Sequence, residues 1–302
     1  MNTIGASGGM APQVNNPTAD GAPSENAPID SVKIGGLRTR ILSALVLAPM
    51  VLGLTYLGGA AFNGMLLIAA VLMAYEWNRM CCGGGGATGV IIILAVLAGV
   101  GVAAGDLAEI ALVVTVLAAG LTYAVTGAIV GFSQRRPLWL VAGVLYIALP
   151  CIAVIWLRAA PETGLAIILW LLGVIWATDI GAYFAGRGIG GPKLAPRISP
   201  KKTWSGLVGG MLAAGAVGAA TANLLGWPNA PMLIAFSIGL AVVAQAGDLA
   251  ESAIKRAFKV KDSGQLIPGH GGLLDRLDGL MAAAPSVAAV ALMGGEGVLA
   301  WR

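Results

Sequence analysis

From Ile41 onward, long apolar runs alternate with short polar interruptions. Each run is about 20 residues long, the length a helix needs to cross the hydrocarbon core of a bilayer. The runs predict nine transmembrane helices, near residues 40–57, 60–77, 87–105, 108–131, 138–157, 164–185, 205–226, 231–253 and 279–299. The short alternating segments of a transmembrane β-barrel are not found. Residues 1–36 differ in kind: they are rich in Gly, Pro, Ala, Asn and Ser and have no apolar period. They read as a disordered tail, since they lack the basic start and apolar core of a signal peptide, and their want of Arg argues against a transit peptide. The expected architecture is an all-α, polytopic integral membrane bundle. It divides into a tail over 1–36, amino-terminal helices over 37–160, and a carboxyl-terminal region over 161–302 in which the helices alternate with polar loops.

Composition agrees. Hydrophobic residues make up 58% of the chain and charged residues 11%, against about 25% charged in an average soluble chain. So few charges cannot cover a water-soluble globule of this size, and so much apolar surface excludes disorder of the whole chain. The net charge of +4 is small and scattered, which argues against nucleic acid as a partner. Cys81, Cys82 and Cys151 form no framework and read as ordinary thiols. The Gly83–Gly86 run lacks the Gly-Lys-Ser/Thr ending of a phosphate loop, so it predicts a turn.

The basic residues orient the bundle. With the amino terminus cytoplasmic, sixteen of the eighteen Lys and Arg residues fall inside, and only Arg158 and Arg302 fall outside. This is a positive-inside pattern, and one misplaced span would destroy it.

Two stretches on that inner side carry chemistry. The first holds Asp179, Tyr183 and Arg187, spaced to share one helix face, followed by Ser199, Pro200, Lys201, Lys202, Thr203 and Ser205. A carboxylate at membrane depth is costly and points to a site, although Asp179 could simply pair with Arg187 or another cation near the interface. Lysines and hydroxyls beside a helix start suit phosphate oxygens, although a positive-inside anchor would also explain Lys201 and Lys202. The second stretch places Asp248, Glu251, Ser252 and Lys255 in one polar stripe, followed by Arg256, His270, Asp275, Arg276 and Asp278. Glu251 with Lys255 fits a plain ion pair as well as it fits a direct role. Asp248, Asp275 and Asp278 near many cations make a hard-oxygen set that suits Mg²⁺. Structural zinc is disfavoured, because Cys and His take no part. His270 is the only histidine. It sits in a Pro-Gly-His-Gly-Gly turn whose backbone N–H groups can approach an anion. Acyl hydrolysis is a poor fit, because no Gly-x-Ser-x-Gly elbow accompanies the His-Gly-Gly string.

The run from Ser252 to Asp278, with its Ser-x-x-Lys-Arg opening, Pro-Gly-His-Gly-Gly turn and Asp-Arg-Leu-Asp close, resembles the signature of phosphatidate cytidylyltransferases, also called CDP-diacylglycerol synthases. Asp179-x-x-Ala-Tyr183 and Ser199-Pro200-x-Lys202-Thr203 are similar to further family elements, and the resemblance is strong over about 175–280. Many members carry Glu or Gln where this chain has Ser205, so that position is given no essential role.

The resemblance implies transfer of CMP from CTP to phosphatidic acid, with pyrophosphate released, at the cytoplasmic face of the inner membrane. It implies Asp248 and Asp275 as ligands of one or two Mg²⁺ ions, with Asp278 a supporting carboxylate. Lys255 joins these three as a catalytic residue. Substrate contacts are assigned to Asp179, Tyr183, Ser199, Lys201, Lys202, Thr203, Ser252, Arg256, His270, Gly271, Gly272 and Arg276. A homodimer is compatible with the family and with the many small residues. The rival readings are another membrane lipid nucleotidyltransferase, a lipid kinase, or a transporter, the last disfavoured by the absence of matched internal repeats.

Overall fold

The computed structural model describes Met1 and residues 29–294 apart from Gly85, Ser133, Pro228 and residues 268–270, with side chains from Leu42 onward. Among the described residues there are nine helices: α1 (Ile29–Leu57), α2 (Gly59–Cys82), α3 (Gly86–Ala104), α4 (Ala108–Val130), α5 (Arg136–Arg158), α6 (Gly164–Gly188), α7 (Trp204–Leu225), α8 (Ala230–Ala257) and α9 (Leu274–Gly294). Eight of them, α2 to α9, are long and apolar enough to cross a membrane. The apolar part of α1, Leu42–Leu57, is shorter. The chain is a multi-pass membrane protein. Large apolar side chains such as Leu94, Leu117, Phe184, Leu212 and Leu224 stand exposed around the bundle, a surface that suits lipid rather than water.

Three boundaries differ from the expected ones. Helix α1 begins at Ile29, so part of the stretch read as a patternless tail is helical; residues 2–28 lie outside the described residues. Helix α9 begins at Leu274 rather than near 279, which draws Asp275 and Asp278 into its first turns. An apolar-run criterion places a helix start where the charges end, whereas a helix with buried partners for its charges starts earlier. Between α6 and α7 the expected loop folds into a two-stranded antiparallel hairpin, β1 (Lys193–Ala195) with β2 (Ser199–Thr203), in which Lys193 pairs with Thr203 and Ala195 with Ser199.

Local chemistry ends the helices. Gly83 after α2 and Gly226 after α7 take the left-handed conformation (φ 81° and 64°) that closes a helix without a Cβ clash. The Thr203 hydroxyl caps α7 by accepting from the Gly206 N–H at 3.1 Å. Arg158, at the end of α5, donates to the Thr55 and Tyr56 carbonyls at 2.9 and 3.2 Å, tying α5 to the last turn of α1.

Helices α2 to α5 pack on one another around Trp77, Ile92, Leu140, Val144 and Ile147, all fully buried. Helices α6 to α9 form the second group, joined to the first through α5. Within it, α6 and α7 come unusually close. A Cβ at Gly209 would lie 2.2 Å from the Ala185 Cβ, and one at Gly181 would lie 2.6 Å from the Gly209 carbonyl oxygen. Helices α8 and α9 touch the same way, since a Cβ at Gly247 would lie 2.6 Å from the Ala282 Cβ and 2.9 Å from the Asp278 carbonyl oxygen. Small residues at such crossings let backbones approach in lipid. The second crossing sets Asp248, the residue after Gly247, beside the start of α9.

Candidate active site

The two polar stretches singled out in the sequence meet in one place. A cleft of about 350 Å³ opens between α6, β2, the start of α7 and α8; Asp179, Tyr183, Arg187, Lys201, Lys202 and Asp248 line it. The one-face spacing of Asp179, Tyr183 and Arg187 is realised along its α6 wall. From β2, Lys202 crosses to α8: its Nζ lies 2.5 Å from the Asp248 Oδ2 and 3.4 Å from the Gln245 carbonyl oxygen. The antiparallel pairing of β2 holds Lys201 and Lys202 over the cleft rather than in a free loop.

Asp179 lies within electrostatic reach of Asp248, Lys202 and Arg276. Asp278 in turn lies within electrostatic reach of Asp248, Glu251 and Asp179, and its Oδ1 accepts from the Gly279 N–H at 2.7 Å. Ser252, one turn after Asp248, donates to the Asp248 Oδ1 at 3.3 Å. Asp179, Asp248 and Asp278 therefore form one acidic group, faced by Lys202 and Arg276.

Beneath that group lies a buried network. Lys255 is 7% exposed. Its Nζ donates to the Asp275 Oδ1 at 2.6 Å and to the Glu251 Oε1 at 3.2 Å. The Tyr146 hydroxyl of α5 donates to the Glu251 Oε2 at 3.2 Å. Asp275 Oδ2 accepts the backbone N–H groups of Ser263 and Gly272 at 2.9 and 3.0 Å. Glu251 forms the i,i+4 ion pair with Lys255, and the pair belongs to a network that reaches Asp275.

The remaining assigned residues sit as follows. Ser199 lies in β2 opposite Ala195. Thr203 is buried and serves as the α7 cap, its hydroxyl 3.0 Å from that of Ser205. Ser205 donates to the Gly190 carbonyl. Arg256 donates to the Val260 carbonyl at 3.2 Å. Gly271 pairs with Ile267 in a short antiparallel bridge and has φ 87°. His270 lies outside the described residues.

Half-buried Tyr146 and fully buried Glu76 were not singled out in the sequence. Tyr146 carried no signal, since a tyrosine in an apolar run is ordinary. Glu76 did carry one: it is a carboxylate inside the second apolar run, and the argument applied to Asp179 applies to it equally.

The donor chemistry fits a divalent cation in part. Mg²⁺ takes one or two carboxylates and completes its shell with water and substrate phosphates. Asp248 and Asp278 offer such oxygens, and with Asp179 they outnumber the facing cations Lys202 and Arg276. Among the described residues no group of three or more His, Cys, Asp or Glu side chains forms a ready metal cage. Asp275 places its two oxygens on Lys255 and two backbone amides.

Fold and site together define a multi-pass membrane protein with its polar chemistry gathered in a cation-lined cleft at one end of the α6–α9 group. Residues 38–293 match the cytidylyltransferase family. The chain belongs to that family. It is 40% identical over 243 residues to the phosphatidate cytidylyltransferase of Brucella suis biovar 1 (strain 1330), covering 76% of this chain and 84% of that one. It is also 41% identical over 155 residues to the protein of the same name from Rickettsia bellii (strain RML369-C), covering 49% of this chain and 67% of that one. With the Haemophilus influenzae (strain ATCC 51907 / DSM 11121 / KW20 / Rd) protein of that name it shares 45% identity over 130 residues, covering 41% and 45% of the two chains.

Proposed function

We propose that this protein transfers CMP from CTP to phosphatidic acid, forming CDP-diacylglycerol and pyrophosphate for phospholipid synthesis. The observation that carries the reading is the Lys202–Asp248 contact. It brings the basic β2 segment and the α8 stripe, 46 positions apart in the sequence, to the two sides of one cleft. The names of the relatives support the choice of substrates.

The reaction asks for two things: closeness and charge neutralisation. Both reactants are polyanions and repel each other. A phosphate oxygen of phosphatidic acid attacks the α-phosphorus of CTP, the bond from that phosphorus to the bridging oxygen of the β-phosphate breaks, and pyrophosphate leaves with the electron pair. A phosphate monoester is already largely ionised near neutral pH, so no strong general base is needed. Arg187, Lys201 and Lys202 supply positive charge on the cleft wall, and Arg276 supplies more from α9. Tyr183 stands beside them as a hydrogen-bonding group. Lys255 holds Glu251 and Asp275 in place under the acidic group. Asp248 and Asp278 would hold Mg²⁺, which when bound neutralises phosphate charge and stabilises the leaving pyrophosphate. Catalysis is then mostly positioning and electrostatics.

The distribution of Lys and Arg supports a cleft on the cytoplasmic side of the inner membrane, where CTP is available and the lipid headgroup lies at the surface. A homodimer belongs to this reading as well, through small-residue helix faces.

Detergent-purified protein is expected to form nucleotidyl-lipid from CTP with phosphatidic acid well above lysophosphatidic acid or a polyprenol phosphate, and only with a divalent cation present. Full activity in excess chelator would contradict the role given to Asp248 and Asp278. Preference for the polyprenol phosphate would contradict the acceptor.

A further inference from the structure

Glu76 lies in α2, in the amino-terminal half of the chain, yet its carboxylate is completely buried and its hydrogen bonds run to the other end of the sequence. Its Oε1 accepts from the Leu273 N–H at 2.9 Å. Its Oε2 accepts from the Leu274 N–H at 3.0 Å and from the Ser263 hydroxyl at 3.2 Å. Leu274 is the first residue of α9. The first N–H groups of a helix have no partner within it, and a negative charge there is favoured by the helix dipole. Glu76 thus caps α9 from a distance of almost 200 residues.

The loop closes around this carboxylate with no room to spare. A Cβ at Gly264 would lie 2.4 Å from the Glu76 Oε1, and one at Gly272 would lie 2.8 Å from its Oε2. Ser263 and Gly272, which both meet Glu76, also meet Asp275, whose Oδ2 takes their backbone N–H groups. Ser263 is therefore held by its side chain from Glu76 and by its backbone from Asp275. Gly272 is held by its N–H from Asp275 while its missing Cβ leaves space for Glu76. Beyond Asp275 the chain of contacts continues to Lys255, Glu251 and Tyr146. Tyr146 packs its ring on that of Trp77, the neighbour of Glu76, with centroids 5.3 Å apart.

We infer that Glu76 is a positioning residue for the reaction: it fixes Ser263, Leu273 and Leu274, and through them the orientation of Asp275, Lys255 and the start of α9. It does not touch the cleft itself. The inference rests on the function proposed above for what is positioned, but the clamp is measurable without turnover.

The test compares the full-length protein with Glu76→Gln in detergent, reading kcat, the half-saturating concentrations of CTP and Mg²⁺, and hydrogen exchange of peptides from 259–275 and from α6. Glutamine keeps the shape but loses the charge and presents an NH₂ group to N–H donors. The expected result is a fall in kcat of about 10- to 100-fold, the scale on which small misplacements act. The half-saturating Mg²⁺ concentration should rise with it, and exchange should speed up in 259–275 but not in α6. A mere loss of folded protein would lower the rate without moving the half-saturating concentrations. Unchanged kcat and unchanged exchange would overturn the inference. If Glu76→Gln loosens the whole bundle, Ser263→Ala decides, because it removes only the hydroxyl donor. Faster exchange confined to 259–275 with lowered kcat supports the clamp, and wild-type values overturn it. Should the unaltered protein show no CTP turnover with phosphatidic acid, the proposed function fails, while the exchange data still report whether Glu76 holds the segment.

Discussion

Asp248→Asn is expected to cut CTP turnover by about 10³-fold, equivalent to about 4 kcal/mol of transition-state stabilisation, while leaving the protein folded. Asparagine has nearly the shape of aspartate, and its carbonyl oxygen can still accept from Ser252 Oγ, which lies 3.3 Å away in the native protein. What it lacks is the charge that meets Lys202 at 2.5 Å and that would bind a divalent cation. Losing both removes the link between the two walls of the cleft and the charge stabilisation of the leaving group. The loss should appear in kcat at saturating CTP, with a thermal melting curve close to that of the native protein. Asp248 and its partner Lys202 both line the open cleft, with side chains 30% and 18% exposed, so water can solvate the ammonium left behind. Turnover within tenfold of native would take Asp248 out of the reacting centre.

Lys255→Met should act in the opposite manner, chiefly on stability. Lys255 is the cation between Glu251, 1% exposed, and Asp275. Its side chain runs through a buried site, and methionine can replace the stem but not the charge. Removing one partner of a buried pair typically costs about 3–5 kcal/mol, because the other charge stays behind without compensation. In Lys255→Met two carboxylates are left facing each other. At the scale of a few degrees per kcal/mol for a chain of this size, the midpoint of thermal unfolding in detergent is expected to fall by about 10 °C. The double variant Lys255→Met with Asp275→Asn should recover part of that loss, since it removes one stranded charge. A midpoint within about 2 °C of native for Lys255→Met would show that the network carries little of the fold.

The helices were legible because their signal is one of length and apolarity, which neighbours barely alter. The same holds for the two polar faces. Asp179, Tyr183 and Arg187 line one wall, and Asp248, Ser252 and Lys255 one stripe, because helical spacing alone dictates it. The i,i+4 pairing of Glu251 with Lys255 was legible for that reason too. Partners across the bundle were not. Nothing in spacing says that Lys202 meets Asp248, or that Lys255 meets Asp275, since the first contact depends on how the β1–β2 hairpin lies against α8 and the second on how closely α8 and α9 cross at Gly247. The hairpin at 193–203 was missed because its strands are short, and Pro192, Pro196 and Pro200 read as loop. The early start of α9 was missed because Asp275 and Asp278 looked like the end of a polar loop, while Glu76, far upstream, supplies the cap that lets the helix begin there. Tyr146 looks like any aromatic residue in an apolar span until its hydroxyl is seen against Glu251.

The most direct test of the whole account follows the phosphorus atoms of CTP. Purified protein is given phosphatidic acid, a divalent cation and CTP labelled at either the α- or the γ-phosphate. The account requires α-label to enter the lipid and γ-label to leave as pyrophosphate, in equal amounts and only when phosphatidic acid is present. Label from the γ-position in the lipid would mean phosphoryl rather than nucleotidyl transfer. That result, or no labelled lipid from either substrate, would contradict the reading of the cleft.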